Sequence, residues 1–337
     1  MERGYRMPNS WPVKPRAQML LNLLAWLLFL SLFALLYACS GNFNDVLPSA
    51  SATALQLNGH AKNGHNTRQQ AGSLPDVEMT PFAMYAVKYG ESEFPETGLF
   101  ADGAKGATAR FGWLHYAIRD ERGKWTLVDT GFHDEHLQHE EWNLTLYKDP
   151  LLLLLELGVR AEMVSTIVIT HHHADHAGCM QRFPNASLIM HSLVAAELRK
   201  PENGLDEAMQ QLSERGQLLT FDGRWSEPIP LGSDGRHRLR VESIGGHAPG
   251  SSMVWLDGPA RQAPSTASAP PLALLAGDEV YLPRSIVEGR PTGTTVNATR
   301  SEAVVHYIRE AKARGTSVFY FHDPETLPGR LGTPRVL

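Results

Sequence analysis

Apolar positions along the chain fall into short blocks separated by glycine, proline and polar clusters, and the period inside each block predicts its element. Residues 82–89 (FAMYAVKY) alternate weakly and carry the aromatic and branched content of a strand. Residues 91–107 are glycine-rich and read as a loop. Two strands follow over 111–118 and 125–128, turned as a hairpin by Asp120, Glu121, Arg122 and Gly123. Residues 149–159 (DPLLLLLELGV) place Pro150 at a helix start and Gly158 at its end, a short buried helix that delivers the chain to an apolar strand over 165–169. A strand over 187–190, helices over 191–199 and 202–214, and strands over 253–256 and 272–276 come next. The proline, alanine and serine stretch 258–271 reads as an exposed hairpin loop. An amphipathic helix over 301–314 turns Val304, Val305, Ile308 and Ala311 inward and stops at Gly315, ahead of a last strand over 318–321. Strands alternating with helices predict an α/β layered domain.

The N-terminus does not belong to that pattern. Residues 1–16 carry Arg3, Arg6, Lys14 and Arg16 against the single acid Glu2, and an uncharged run over 19–38 follows. This is a targeting segment, long for a signal core and just long enough to span a bilayer. Leu36, Tyr37, Ala38 and Cys39 resemble a bacterial lipoprotein cleavage box, with Tyr37 where a small residue is usual. The expectation is a leader over 1–39 whose Cys39 becomes lipid-bearing; an uncleaved single-pass helix and a secreted product are the alternatives. Each places the domain beyond the cytoplasmic membrane, on the periplasmic side. Residues 40–76 are rich in Ser, Asn, Gly, Ala and Gln without helix or strand period, a flexible tether in which His60 and His65 read as solvated. The folded domain is therefore expected over 77–337.

A chain of 337 residues that is 42% hydrophobic can bury a full core. Its net charge of −5, with 20% charged residues, offers no basic stripe and argues against nucleic acid as the main partner. Cys39 and Cys179 are too few for a disulfide framework.

The chemistry concentrates in residues 170–178, THHHADHAG, directly behind the 165–169 strand. His171, His173, Asp175 and His176 supply imidazoles and a carboxylate, the donor set of zinc and, to a lesser degree, of iron, manganese or cobalt. Alternation lets His171 and His173 share one metal, while Asp175 and His176, past the strand end, can aim at a second position. His172 alternates away from them and reads as packing or as a residue that supports the ligands from behind. His247 in IGGHAPGSS, set among Gly245, Gly246 and Gly250, is a candidate third ligand of the first metal. Asp278 follows the 272–276 strand and a glycine, and its two oxygens can bridge two cations. His322 ends the last strand. Asp129 ends the 125–128 strand and either orients a metal-bound imidazole or caps the following turn. His133, His136 and His139 lie among exposed acids and read as a solvated helix start; His191 reads as a packed or exposed histidine, and Cys179 as a small buried residue.

With these residues in this order, the chain from Val77 to Leu337 resembles the metallo-β-lactamase fold superfamily, THHHADHAG being the most specific motif. The resemblance implies a four-layer αββα sandwich with a dinuclear site at one edge of its two sheets. Carried over residue by residue, His171, His173 and His247 would hold one divalent ion, Asp175, His176 and His322 the other, and Asp278 would bridge them; zinc is the expected metal, with iron or manganese as alternatives. Within the superfamily the motifs resemble N-acyl homoserine lactonases, because Tyr281 follows Asp278 by three residues in GDEVYL and Asp323 follows His322 in FHDPE. That resemblance implies a quorum-quenching hydrolase of small ester or lactone substrates, in which water ionised between the metals attacks the carbonyl, Tyr281 steadies the oxyanion, with a packed aromatic as its alternative role, and Asp175 passes a proton to the leaving alkoxide. A glyoxalase II-like thioesterase uses the same seven ligands but adds a long helical part after the bridging aspartate, whereas only Glu279 to Leu337 follow here. β-Lactamases of the closest subclass use no bridging carboxylate at the place of Asp278. An alternative of another class is a membrane-tethered binding protein with an inactive metal site.

Overall fold

The computed structural model describes residues 82–133, 142–233, 235–258 and 270–337. The expected leader, Cys39, the tether, His136, His139 and most of the 258–271 loop lie outside the described residues.

Seven strands build the first sheet: β1 (Phe82–Pro95), β2 (Thr108–Asp120), β3 (Trp125–Val128), β4 (Leu144–Tyr147), β5 (Val164–Val168), β6 (Ser187–His191) and β7 (Leu218–Phe221), in the order β4-β1-β2-β3-β5-β6-β7. Five build the second: β8 (Ile229–Pro230), β9 (Arg238–Ser243), β10 (Ser252–Asp257), β11 (Ala273–Leu275) and β12 (Ser317–Phe319), in the order β12-β11-β10-β9-β8. The period-two alternation of each strand decides what it buries. On β1, Phe82, Met84 and Ala86 face a core shared with Val241 of β9, Val254 and Leu256 of β10 and Leu275 of β11, which is the space between the sheets. Val87 and Tyr89 on its other face join Leu153, Leu154, Val194, Leu198, Met209 and Leu212, contributed by helices outside the first sheet. Met253 and Trp255 of β10 pack outward on Val304, Val305 and Ile308 of the helix Ala298–Ala313. Helix, sheet, sheet, helix is therefore the layer order, the αββα sandwich expected from the resemblance.

Two extensions separate the strands from their expected bounds. Residues 91–95, expected in a loop, continue β1 and pair with residues 108–112 of β2. A bulge between Lys88 and Gly90 leaves Tyr89 outside the β1–β2 register. Strand polarity then collects one edge. β3 and β5 are parallel, so Asp129 and the 170–178 stretch emerge side by side; β10 runs antiparallel to β11 and β11 parallel to β12, so the residues before β10 and after β11 and β12 emerge together. Ser252 N donates to Thr170 O at 3.0 Å and ties the two sheets at that edge.

β2 also buries a titratable group. His115 is fully buried and neither ring nitrogen has a hydrogen-bond partner. Burial, and then the nearby His176, lower its pKa from 6.5 to about 3. The unfolded chain therefore takes up a proton on His115 that the folded chain refuses; its contribution to stability is complete above pH 6.5 and is lost as pH falls towards 3. Between pH 7 and pH 5 the metal-free protein should lose about 2 kcal/mol through this residue alone. Urea unfolding at both pH values should show that loss reduced by a like amount in His115→Leu, and an unchanged pH dependence would contradict the assignment.

Candidate metal centre

The chain leaves β5, bends at His172 and His173, and enters the short helix Ala174–Ala177 immediately, with His173 at its N-cap in extended conformation. His171 and His173 turn their rings towards one another, and the helical turn swings Asp175 and His176 aside. Two groups result: His171, His173, His247 and Asp278, and Asp175, His176, Asp278 and His322, the potential ligand atoms of each lying within 4.8 Å of one another. In the first, His173 Nδ1 lies 2.9 Å from His171 Nε2 and 3.1 Å from His247 Nε2. In the second, His176 Nε2 lies 3.0 Å from Asp175 Oδ2, and His322 Nε2 lies 3.6 Å from the same oxygen. Asp278 belongs to both groups. Its Oδ2 is 3.5 Å from His171 Nε2 and 3.4 Å from His247 Nε2, and its Oδ1 is 3.2 Å from His176 Nε2 and 3.0 Å from His322 Nε2.

The outward ring nitrogens are fixed by groups that leave little choice of tautomer. His247 Nδ1 donates to Thr294 O at 2.8 Å and His322 Nδ1 to Gly112 O at 2.9 Å. A carbonyl only accepts, so each Nε2 turns a lone pair to the centre when the ring is neutral. His176 Nδ1 lies 2.7 Å from Asp129 Oδ2, and Asp129 also accepts from Thr170 N and Thr170 Oγ1, each at 2.7 Å. Asp129 thus orients an imidazole, the first of the two roles open to it, and it does so at φ 64, a left-handed conformation that few non-glycine residues adopt. On the β1 bulge, Tyr89 Oη donates to Asp175 O at 2.8 Å and holds the turn that carries the second group. Gly245 and Gly250, both at φ 70, give the His247 loop a backbone that a side chain would strain.

Burial pulls the basicity of these imidazoles apart. It lowers the pKa of His171 and His173 well below 6.5 and that of His247 below it. Burial also opposes charge on His176, yet the carboxylates of Asp175, Asp278 and Asp129 outweigh it and raise that pKa well above 6.5. Asp278 is the converse case: burial favours its neutral form, but His176, His322 and His171 hold it well below 3.8. The arrangement fits two divalent ions. His176 Nε2 is buried without a hydrogen bond, the Nε2 atoms of His247 and His322 converge with their Nδ1 donors tied back to carbonyls, and a shared carboxylate keeps the two groups together. Nitrogen and oxygen donors of this kind suit zinc, iron or manganese.

Tyr281 is buried, with its hydroxyl 3.4 Å from His247 Nδ1 and its ring packed edge-on to His322 and Phe111. Burial, and then the Asp278 carboxylate, raise the phenol well above 10, so it acts as a hydrogen-bond donor at neutral pH. Phe111 stacks on His322 at 4.0 Å and Trp113 meets it edge-on, an apolar wall on one side of the second group. His133 pairs with Asp149 at 3.1 Å and is a member of neither group. His191 caps the helix Ser192–Leu198 through Leu193 N, and Cys179 is a buried thiol whose pKa burial raises. His172 stays outside the ligand groups; burial lowers its pKa to about 4. Tyr89, Thr294 O and Gly112 O lie outside every motif of the sequence, and Thr170 opens THHHADHAG without a feature that marks it as a partner of Asp129.

Residues 115–259 match the sequence profile of the metallo-beta-lactamase superfamily. The αββα sandwich described above is the fold that this match implies and that the solved structures below share. Among curated proteins it is similar to the N-acyl homoserine lactonase AiiB of Agrobacterium fabrum, 26% identical over 181 residues that make up 51% of this chain and 61% of that protein. The match thus spans about three fifths of that relative's length. Its fold is similar to that of an N-acyl homoserine lactone hydrolase solved with N-hexanoyl-L-homoserine at its catalytic metal centre (TM-score 0.58, 17% identity, 75% of this chain and 98% of that one). It is also similar to that of AidC, a dizinc quorum-quenching lactonase (TM-score 0.51, 15% identity, 77% and 95%).

Proposed function

We propose that this protein is a dinuclear-metal hydrolase that opens the lactone ring of N-acyl homoserine lactones. The observation that carries the reading is Asp278, whose two oxygens face two separate imidazole groups at one sheet edge. The likeness to lactonases in sequence and in fold supports the substrate class.

Two bound cations would bring the pKa of a water towards neutrality and polarise the substrate carbonyl, so no serine or cysteine nucleophile is needed. The chain's own groups do the rest. His171, His173, His247 and Asp278 would hold one cation, and Asp175, His176, His322 and Asp278 the other. The Tyr281 phenol, protonated at neutral pH, donates to the oxyanion as the ring carbonyl becomes tetrahedral. Asp175 carries the proton from the attacking water to the leaving alkoxide on a carboxylate oxygen, which closes the proton balance of ring opening. Phe111 and Trp113 keep water from the His322 side.

The N-terminal segment, outside the described residues, supports a domain tethered on the periplasmic side through a lipid on Cys39: four basic residues precede an uncharged run that ends at that cysteine.

A panel of N-acyl homoserine lactones, aryl esters, thioesters and a β-lactam tests the reading. The lactones should be turned over fastest; faster turnover of the thioester or the β-lactam would overturn it. Tyr281→Phe should lower kcat about 10- to 100-fold while KM and metal content hold, and an unchanged kcat would leave Tyr281 a packing residue.

A further inference from the structure

The residue after the shared aspartate is a second, fully buried carboxyl. Glu279 closes the turn Gly277–Glu279, and its Oε1 accepts from Gly246 N at 3.1 Å and from Ser251 Oγ at 2.5 Å. Ser251 Oγ in turn accepts from Ala248 N at 3.2 Å. Gly246 and Ala248 are the two neighbours of His247. One buried carboxyl therefore reaches the backbone amide on each side of that histidine, once directly and once through a hydroxyl. The approach is close: a Cβ on Gly246 would stand 2.5 Å from Glu279 Oε2, an oxygen that has no partner of its own. Burying a carboxyl with one oxygen unpaired costs free energy that an apolar residue would not. What it provides is a fixed span between the turn that presents Asp278 and the loop that presents His247, two members of the first group.

We propose that Glu279 is a positioning residue that sets His247 against Asp278 and so determines the affinity of the first metal position. The inference rests on the dinuclear reading above. It is specific about which position feels the change, because the amides that Glu279 holds flank His247, which serves the first group alone, whereas the second group shares only Asp278 with it.

The test is a chelator-competition titration of the metal-stripped full-length chain with Zn2+, reading the two binding steps separately. Glu279→Ala should weaken one step about 10- to 100-fold, the usual cost of losing a group that orients a ligand, and leave the other unchanged. Glu279→Gln should restore that step to within a few-fold, because its amide oxygen accepts from the same two donors. Ser251→Ala, which removes only the arm to Ala248, should weaken the same step by a smaller factor and decides the matter if Glu279→Ala does not fold. A purely structural role would lower the melting temperature with both steps intact. Unchanged steps in Glu279→Ala, or in Ser251→Ala where only that variant folds, overturn the proposal, as does a Glu279→Gln protein as impaired as the alanine variant. A wild-type chain that binds fewer than two ions overturns the dinuclear reading itself, and the positioning role with it.

Discussion

Asp278→Ala is expected to abolish lactone opening, with kcat/KM falling about a thousandfold or more and metal content falling below two ions per chain. The expectation follows from what one carboxylate does here. It stands within 3.5 Å of an imidazole nitrogen in four histidines, two from each group, and it is the member that the two groups share. Removing it takes a ligand from both positions at once and leaves converging imidazoles with less anionic charge among them. Asp278→Asn separates charge from shape. The amide fills the same space but carries no negative charge, so the chain should fold as the wild type does while binding metal weakly. Metal analysis beside kinetics checks this, and an Asp278→Ala protein that keeps two ions and full rate would refute the shared role.

The second large effect is on stability. Asp129 is fully buried and accepts three hydrogen bonds of 2.7 Å, from Thr170 N, Thr170 Oγ1 and His176 Nδ1. Asp129→Ala strands those donors in a dry interior and places a Cβ residue without polar compensation at φ 64. The metal-free chain should lose about 3–5 kcal/mol in urea unfolding. With metal the loss should extend to affinity, by about 10- to 100-fold at the position His176 serves. Asp129→Asn tolerates the left-handed backbone but offers a single accepting oxygen. It should cost less stability than alanine while weakening metal binding as much, since the His176 ring is no longer held in one tautomer. A loss under about 1 kcal/mol in Asp129→Ala would contradict the bonding described.

How much of this was legible in the sequence depends on what carried each feature. Side-chain ligands at strand ends were readable because hydrophobic blocks mark the strand and a polar, metal-compatible residue breaks each block. His171, His173, Asp175, His176, His247, Asp278 and His322 all stood out on that ground or through the family motif. Asp129 stood out as well, but its two possible roles were separable only by distance. The partners of the ligands were hidden for a different reason. Thr294 and Gly112 act through backbone carbonyls, which every residue possesses, and Glu279 sits behind a more conspicuous acid. Among the strands, β4 and β7 escaped because they lie at the edges of the first sheet and expose half of their residues, so little alternation remains. β9 escaped because Arg238, Arg240 and Glu242 occupy its outer face and dilute the apolar signal of Leu239 and Val241. Residues 91–95 looked like loop through their glycine-rich continuation, yet their pairing with β2 is set by tertiary partners, which local composition does not encode.

The central claim is that two metal ions held about Asp278 make the chain a lactone-opening enzyme. Stripping the full-length chain with chelator and returning Zn2+ stepwise, while following the opening of N-hexanoyl-L-homoserine lactone by proton release, tests it most directly. Activity should be absent without metal, rise with added ion and saturate at two equivalents per chain. Full activity in the stripped chain, saturation at one equivalent, or a fully loaded chain that leaves the lactone intact would contradict it.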